Sequence, residues 1–185
     1  VAKDPQKRGV QLVEWAENLS HGDFGPQIEI IREVFEDENH PYHSFVMKIF
    51  QEVDKKQIKK VAYNFFMNAS VLGWQTQQKY REEYNCNIPW AILLDPTSAC
   101  NLKCTGCWAA EYGYKQNLSY DEIDSIITQG KELGTYMYIY TGGEPLVRKD
   151  DLIKLCEKHN DCVFLSFTNA TLIDEDFVDL SLIHI

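Results

Sequence analysis

The feature that most constrains the fold is an alternation between residues 88 and 180 of short apolar runs with segments of helical period. Residues 88–95 (IPWAILLD) form a nearly continuous apolar run, the pattern of a strand buried on both faces. Residues 136–141 (YMYIYT) and 163–168 (VFLSFT) are two further strands, rich in aromatic and β-branched side chains. Between the first two runs, Ser119 followed by Glu122 gives a helix start of the capping-box kind. Ile123, Ile126, Ile127 and Leu133 supply the apolar face of that helix, and Gly134 supplies the stop. Residues 150–159 predict a second helix that buries Leu152, Ile153, Leu155 and Cys156, and a third begins at residues 172–180. This order, β-α-β-α-β-α, predicts an α/β fold of parallel strands joined by right-handed crossovers, a partial (β/α) barrel of three units.

Polar residues and glycines cluster just past each strand: residues 95–107, Gly142-Gly143-Glu144, and Thr168-Asn169. Parallel α/β sheets bind ligands at that edge, so three loops distant in sequence are expected to converge on one site.

The first of these loops carries Cys100-x3-Cys104-x2-Cys107. All 6 cysteines of the chain follow residue 85, and three of them fall within eight residues of one another. That crowding, in a chain of 185 residues, favours a metal or cluster site in a reducing compartment over a disulfide framework. Three thiolates on one loop can hold three irons of a cubane cluster and leave the fourth iron open. Zinc is the competing ligand, although a structural zinc site calls for four donors and the nearest spare thiol is Cys86. Three unligated structural cysteines are the remaining reading. Cys156 and Cys162 read as small core residues.

Charge divides the chain as well. The formal net charge is -10, of which residues 1–85 contribute -2 and residues 86–185 contribute -8. An acidic surface excludes nucleic acid as a first guess for a partner. No run approaches the roughly 18 apolar residues of a membrane span.

The first region, residues 1–86, reads as helical. Apolar residues recur at helical spacing around Leu12, Val13, Trp15, Ala16 and Leu19, then from Ile28 to Phe35, from Phe45 to Val53, and in a long pattern over residues 56–84. Residues 21–26 and 37–41 break the runs, whereas Gly73 weakens the last without ending it. Phe65, Phe66, Met67 and Trp74 are read as helix-packing core. His40 and His43 have a spacing that metal ligands can use, but no third donor lies beside them. The region is expected to cap the mouth of the strand–helix region, residues 87–185, or to bind a partner.

Taken together, Cys100-x3-Cys104-x2-Cys107 after the first strand, Gly142-Gly143-Glu144-Pro145 after the second and Thr168-Asn169 after the third resemble the radical S-adenosylmethionine (radical SAM) superfamily. The resemblance spans residues 90–174. It implies a [4Fe-4S] cluster on Cys100, Cys104 and Cys107, with the amino and carboxylate groups of SAM on the open iron. It further implies that Gly142, Gly143 and Glu144 receive the methionyl ammonium, that Asn169 touches the SAM carboxylate or ribose, and that Gly106 lies by the adenine, where relatives often carry an aromatic residue. The implied activity is reductive cleavage of SAM to a 5′-deoxyadenosyl radical that takes hydrogen from an unknown substrate. A small electron-donor protein, such as a flavodoxin or ferredoxin, would supply the electron in the cytoplasm. No catalytic base is named by the motifs. Such cores usually have six βα units, so this chain is expected to be a fragment, and a cluster-binding scaffold without turnover is the alternative to an enzyme.

Overall fold

The computed structural model describes residues 4–20, 25–113 and 115–178. The expected break at residues 21–24, the side chains of Ala16 and Leu19, and the tail from residue 179 lie outside the described residues. The chain divides into two compact units, Val1–Lys59 and Lys60–Ile185.

The first unit contains α1 (Pro5–Ser20), α2 (Gly25–Glu36) and α3 (His43–Glu52). Val13, Ile28 and Phe35 are its buried centre, with Val46, Met47 and Phe50 packed against them. The Phe35 ring lies over Gly9, where an added Cβ would come within 2.0 Å of the ring, so only glycine fits beneath it. The two histidines serve local structure: His43 Nδ1 lies 2.8 Å from the Val34 carbonyl, and His40 Nδ1 accepts the Tyr42 N–H at 3.2 Å.

The long pattern over residues 56–84 is realised as one run of helix: α4 (Lys55–Ala62), a π-helical stretch at Tyr63–Leu72, and α5 (Gly73–Tyr84). Side chains from residues 64–77 reach the strand–helix layer. Asn64 Nδ2 donates to the carbonyls of Asn160 at 2.9 Å and Cys162 at 3.0 Å, and Asn68 Nδ2 donates to Asp161 O at 2.8 Å. Gln77 Nε2 donates to Gly134 O at 2.8 Å. Gly73 and Gly134 make the close approach possible, since a Cβ on Gly73 would meet the Gly134 carbonyl at 2.4 Å. Gly134, at φ +89°, also ends the preceding helix.

The sheet has the order β1-β2-β3, with β1 (Ala91–Thr97), β2 (Met137–Gly142) and β3 (Val163–Ser166), all parallel. The acceptors for Asn64, Asn68 and Gln77 stand just before β2 and β3, at the amino edge of the sheet. Residues 64–77 therefore brace the edge opposite the loops that follow the strands; they do not cap those loops.

β1 begins at Ala91, later than the apolar run suggested, because Pro89 has no N–H to give a ladder. The carbonyls of Ile88 and Pro89 are instead taken by Arg81 Nη2 at 3.0 Å and Thr135 Oγ1 at 2.6 Å. The helices α6 (Tyr120–Glu132) and α7 (Lys149–Lys158) cover one face, burying Leu94, Ile123, Ile127, Tyr138, Tyr140, Leu152 and Leu155. The Phe164 ring stacks on Tyr138 and Tyr140 within this core. The Ser119–Glu122 capping box is present, with reciprocal bonds of 3.2 and 2.7 Å. On the other face the register aligns Leu93, Ile139 and Leu165 across the three strands, with Leu93 59% and Leu165 45% exposed. The expectation that the first strand is buried on both faces is thus corrected: both crossover helices pack on the same side. Among the described residues no helix is long and apolar enough to cross a membrane.

If the asparagine bonds hold the long helix to the sheet, Asn64→Ala should cost about 1–3 kcal/mol, because it strips the buried Cys162 carbonyl, and the more open Asn160 carbonyl, of their donor. Denaturant unfolding measures this, and a midpoint equal to wild type would contradict the bracing role.

The cysteine loop and the carboxyl edge of the sheet

The loop after β1 leaves the sheet and returns to it. Thr97 bridges to Asn117, the Ser98 N–H donates to Gln116 O at 2.8 Å, and the Leu118 N–H donates to Pro96 O at 3.2 Å. Thr97 Oγ1 donates to Asn117 Oδ1 at 2.5 Å. Arg148 fastens the base by donating from Nη1 to the carbonyls of Pro96 and Leu118, while Asp151 holds its other nitrogens. The cysteines hang on this closed excursion. Cys104 is exposed, Cys100 and Cys107 are partly buried, and none of the three is in a disulfide.

The remaining cysteines differ in setting. Cys156 and Cys162 lie against the helix-covered core, where burial pushes each thiol up to about 12. Cys86 is exposed just beyond α5. The loop therefore groups three thiols that solvent-borne iron or sulfide can reach, whereas the exposed Cys86 stands apart from them in sequence, before β1. The Leu102 N–H points at Cys100 Sγ at 3.4 Å, and Asn169 Nδ2 lies 3.9 Å from it. Hydrogen bonds of this kind favour a thiolate and tune a metal bound to it. The donor set fits an iron–sulfur cluster with one open iron. Among the described residues, however, no three His, Cys, Asp or Glu side chains are drawn into one metal-binding group. Gly106, at φ +74°, turns the loop between Cys104 and Cys107, and the exposed Trp108 follows at the start of a 3-10 helix, edge-to-face with Tyr112.

The glycines after β2 are explained by contact. The Gly143 N–H donates to Thr97 O at 2.9 Å and the Glu144 N–H to Ala99 O at 2.8 Å. A Cβ on Gly143 would fall 2.1 Å from the Ala99 carbonyl, and Gly142 adopts φ +100° beside Thr97. The segment thus lies against the root of the cysteine loop. Glu144 is 1% exposed and caps the 3-10 helix Pro145–Arg148. Its Oε1 accepts from the Leu146 N–H at 3.0 Å and Thr168 Oγ1 at 2.7 Å, and its Oε2 from the Asn169 N–H at 2.8 Å.

Asn169 stands at the end of β3 facing the cysteine loop. Its Nδ2 donates to Asn101 Oδ1 at 2.9 Å, and its Oδ1 accepts from Thr171 Oγ1 at 2.7 Å. Asn101 Nδ2 completes a ring by donating to Thr171 Oγ1 at 2.7 Å. The three sequence-predicted loops do lie on one edge of the sheet and touch one another through these bonds. Thr168, Asn101 and Thr171 complete the connection. Thr168 was visible only as the partner of Asn169 after the strand, and nothing in the sequence marks Asn101 or Thr171.

Comparison with known proteins agrees with this arrangement. Residues 94–182 match the Radical SAM superfamily. An uncharacterized protein of Archaeoglobus fulgidus is 32% identical over 110 residues, 57% of this chain and 25% of that protein. A GTP 3',8-cyclase of Desulforamulus reducens is 37% identical over 82 residues, 42% of this chain and 24% of the cyclase. An Fe-coproporphyrin III synthase of Methanosarcina barkeri is 32% identical over 89 residues, 46% of this chain and 22% of the synthase. The chain spans about a quarter of the length of these relatives. No solved structure matches it. Residues 94–182, with their parallel strands and cysteine loop, thus carry the match to the radical SAM superfamily.

Proposed function

We propose that this chain is the cluster- and SAM-binding part of a radical SAM enzyme. The observation that carries the reading is the meeting of the cysteine loop, the Gly142–Glu144 segment and the Thr168–Asn169 loop at one edge of a parallel sheet. Cys100, Cys104 and Cys107 would hold a [4Fe-4S] cluster by three irons. The chemistry such a cluster would supply, once bound and reduced, is the one electron for cleavage of SAM to methionine and a 5′-deoxyadenosyl radical, which would take hydrogen from substrate.

The chain's own residues orient and shelter these groups. Gly142 and Gly143 bring the end of β2 against the root of the cysteine loop, so main-chain groups there can approach the SAM amino group. Asn169 stands by Cys100, where its amide can meet the SAM carboxylate or ribose, and Gly106 leaves the loop open for adenine. A small electron-donor protein, a flavodoxin or ferredoxin, would reach the cluster from the exposed Cys104 side. The relatives' names point to GTP in one case and a coproporphyrin in another, so the shared reading is at the level of SAM cleavage.

Anaerobic reconstitution should load about four irons and four sulfides per chain. Ala at Cys100, Cys104 or Cys107 should abolish this, whereas Ala at Cys86, Cys156 or Cys162 should leave it. Equal loss in both sets, or tightly bound zinc in place of iron, would overturn the assignment. Dithionite-reduced, cluster-loaded protein should release 5′-deoxyadenosine from SAM, and the Cys104→Ala protein should release none. Intact SAM after reduction of a full cluster would identify a binding scaffold.

A further inference from the structure

We propose that Glu144 is a positioning residue: its buried carboxylate latches the loop after β3 to the end of β2, which the same residue's main-chain N–H ties to the root of the cysteine loop, and the carboxylate does not itself meet the ligand. What the latched loops are for rests on the function proposed above. The latch itself is a property of the chain without any cofactor.

The carboxylate is committed on both oxygens. Three donors from its own chain, the Leu146 N–H, the Thr168 hydroxyl and the Asn169 N–H, lie 2.7–3.0 Å away, and the residue is 1% exposed. An ionised carboxylate offers about four acceptor positions, so little capacity is left for a cation arriving from solvent. The same residue's N–H is bonded to Ala99 O, next to Cys100. From Asn169 the connection runs on through the Asn169–Asn101–Thr171 ring into the cysteine motif. One residue, through its carboxylate and its main-chain N–H, thereby bonds directly to the loop after β3 and to the root of the cysteine loop. Gln at position 144 cannot replace it: with one end serving as the acceptor for Leu146 and Thr168, the other end is an NH2 group facing the Asn169 N–H, donor against donor.

The test is hydrogen exchange on the 185-residue chain carrying neither cluster nor SAM, comparing wild type with Glu144→Gln, Thr168→Val and Thr168→Ser. Exchange at the Leu146 and Asn169 amides should rise about tenfold or more in Glu144→Gln, while Ile123 and Ile127 in α6 stay unchanged. Thr168→Val should give a smaller rise at Asn169, and Thr168→Ser, which keeps the hydroxyl, should match wild type. Wild-type exchange in Glu144→Gln, together with weakened SAM binding once the cluster is loaded, would mean direct ligand contact and would overturn the latch. If Glu144→Gln does not fold, identical exchange in Thr168→Val and Thr168→Ser overturns it equally. Because the measurement uses the chain without cofactors, its failure leaves the proposed function standing, and failure of cluster loading leaves the latch standing.

Discussion

The site depends on a backbone contact that only glycine allows. The end of β2 runs so close to the residues after β1 that a methyl group at Gly143 would overlap the Ala99 carbonyl. Two main-chain hydrogen bonds, Gly143 to Thr97 and Glu144 to Ala99, extend the parallel pairing past the regular ladder and into the loops. The cysteine excursion starts from a fixed point for this reason, although the excursion itself has little regular structure. Closing bonds at Gln116, Asn117 and Leu118 return it to the same place. A three-thiol loop anchored at both ends against a rigid sheet edge is the kind of frame on which a reactive group can be oriented and partly shielded.

The two faces and two edges of the sheet have separate tasks. One face is closed by α6 and α7 over an aliphatic and tyrosine core, and Tyr138 satisfies its buried hydroxyl on the carbonyls of Ile127 and Thr135. The opposite face presents the Leu93–Ile139–Leu165 row. The amino edge is braced by Asn64, Asn68 and Gln77 of the long helix, and the carboxyl edge carries the cysteine loop. The proposed binding chemistry and the mechanical support thus sit at opposite ends of the same strands, so the support can be rigid without occupying the site.

Much of this was legible in the sequence, for identifiable reasons. The three apolar runs were visible as strands, and Ser119, Glu122 and Gly134 marked the ends of α6, because caps and stops are local chemistry. The convergence of three loops followed from parallel topology alone. What could not be read depends on distant partners. An apolar run does not say which of its faces will be covered, so the exposure of Leu93 was hidden. Asn64 and Asn68 look like ordinary polar positions on a helix until the carbonyls of residues 160–162 arrive opposite them. A carboxylate after two glycines reads as a cation receptor, and only the donors from Leu146, Thr168 and Asn169 reveal that its oxygens are already engaged.

The central claim is that the cysteine loop holds a cluster whose open iron meets SAM beside Gly142 and Asn169. Electron paramagnetic resonance of the reduced, reconstituted protein tests it most directly, recorded before and after addition of SAM. The account predicts a reduced [4Fe-4S] signal whose line shape changes when SAM is added. A spectrum indifferent to SAM, or protein that holds no reducible cluster, would contradict it.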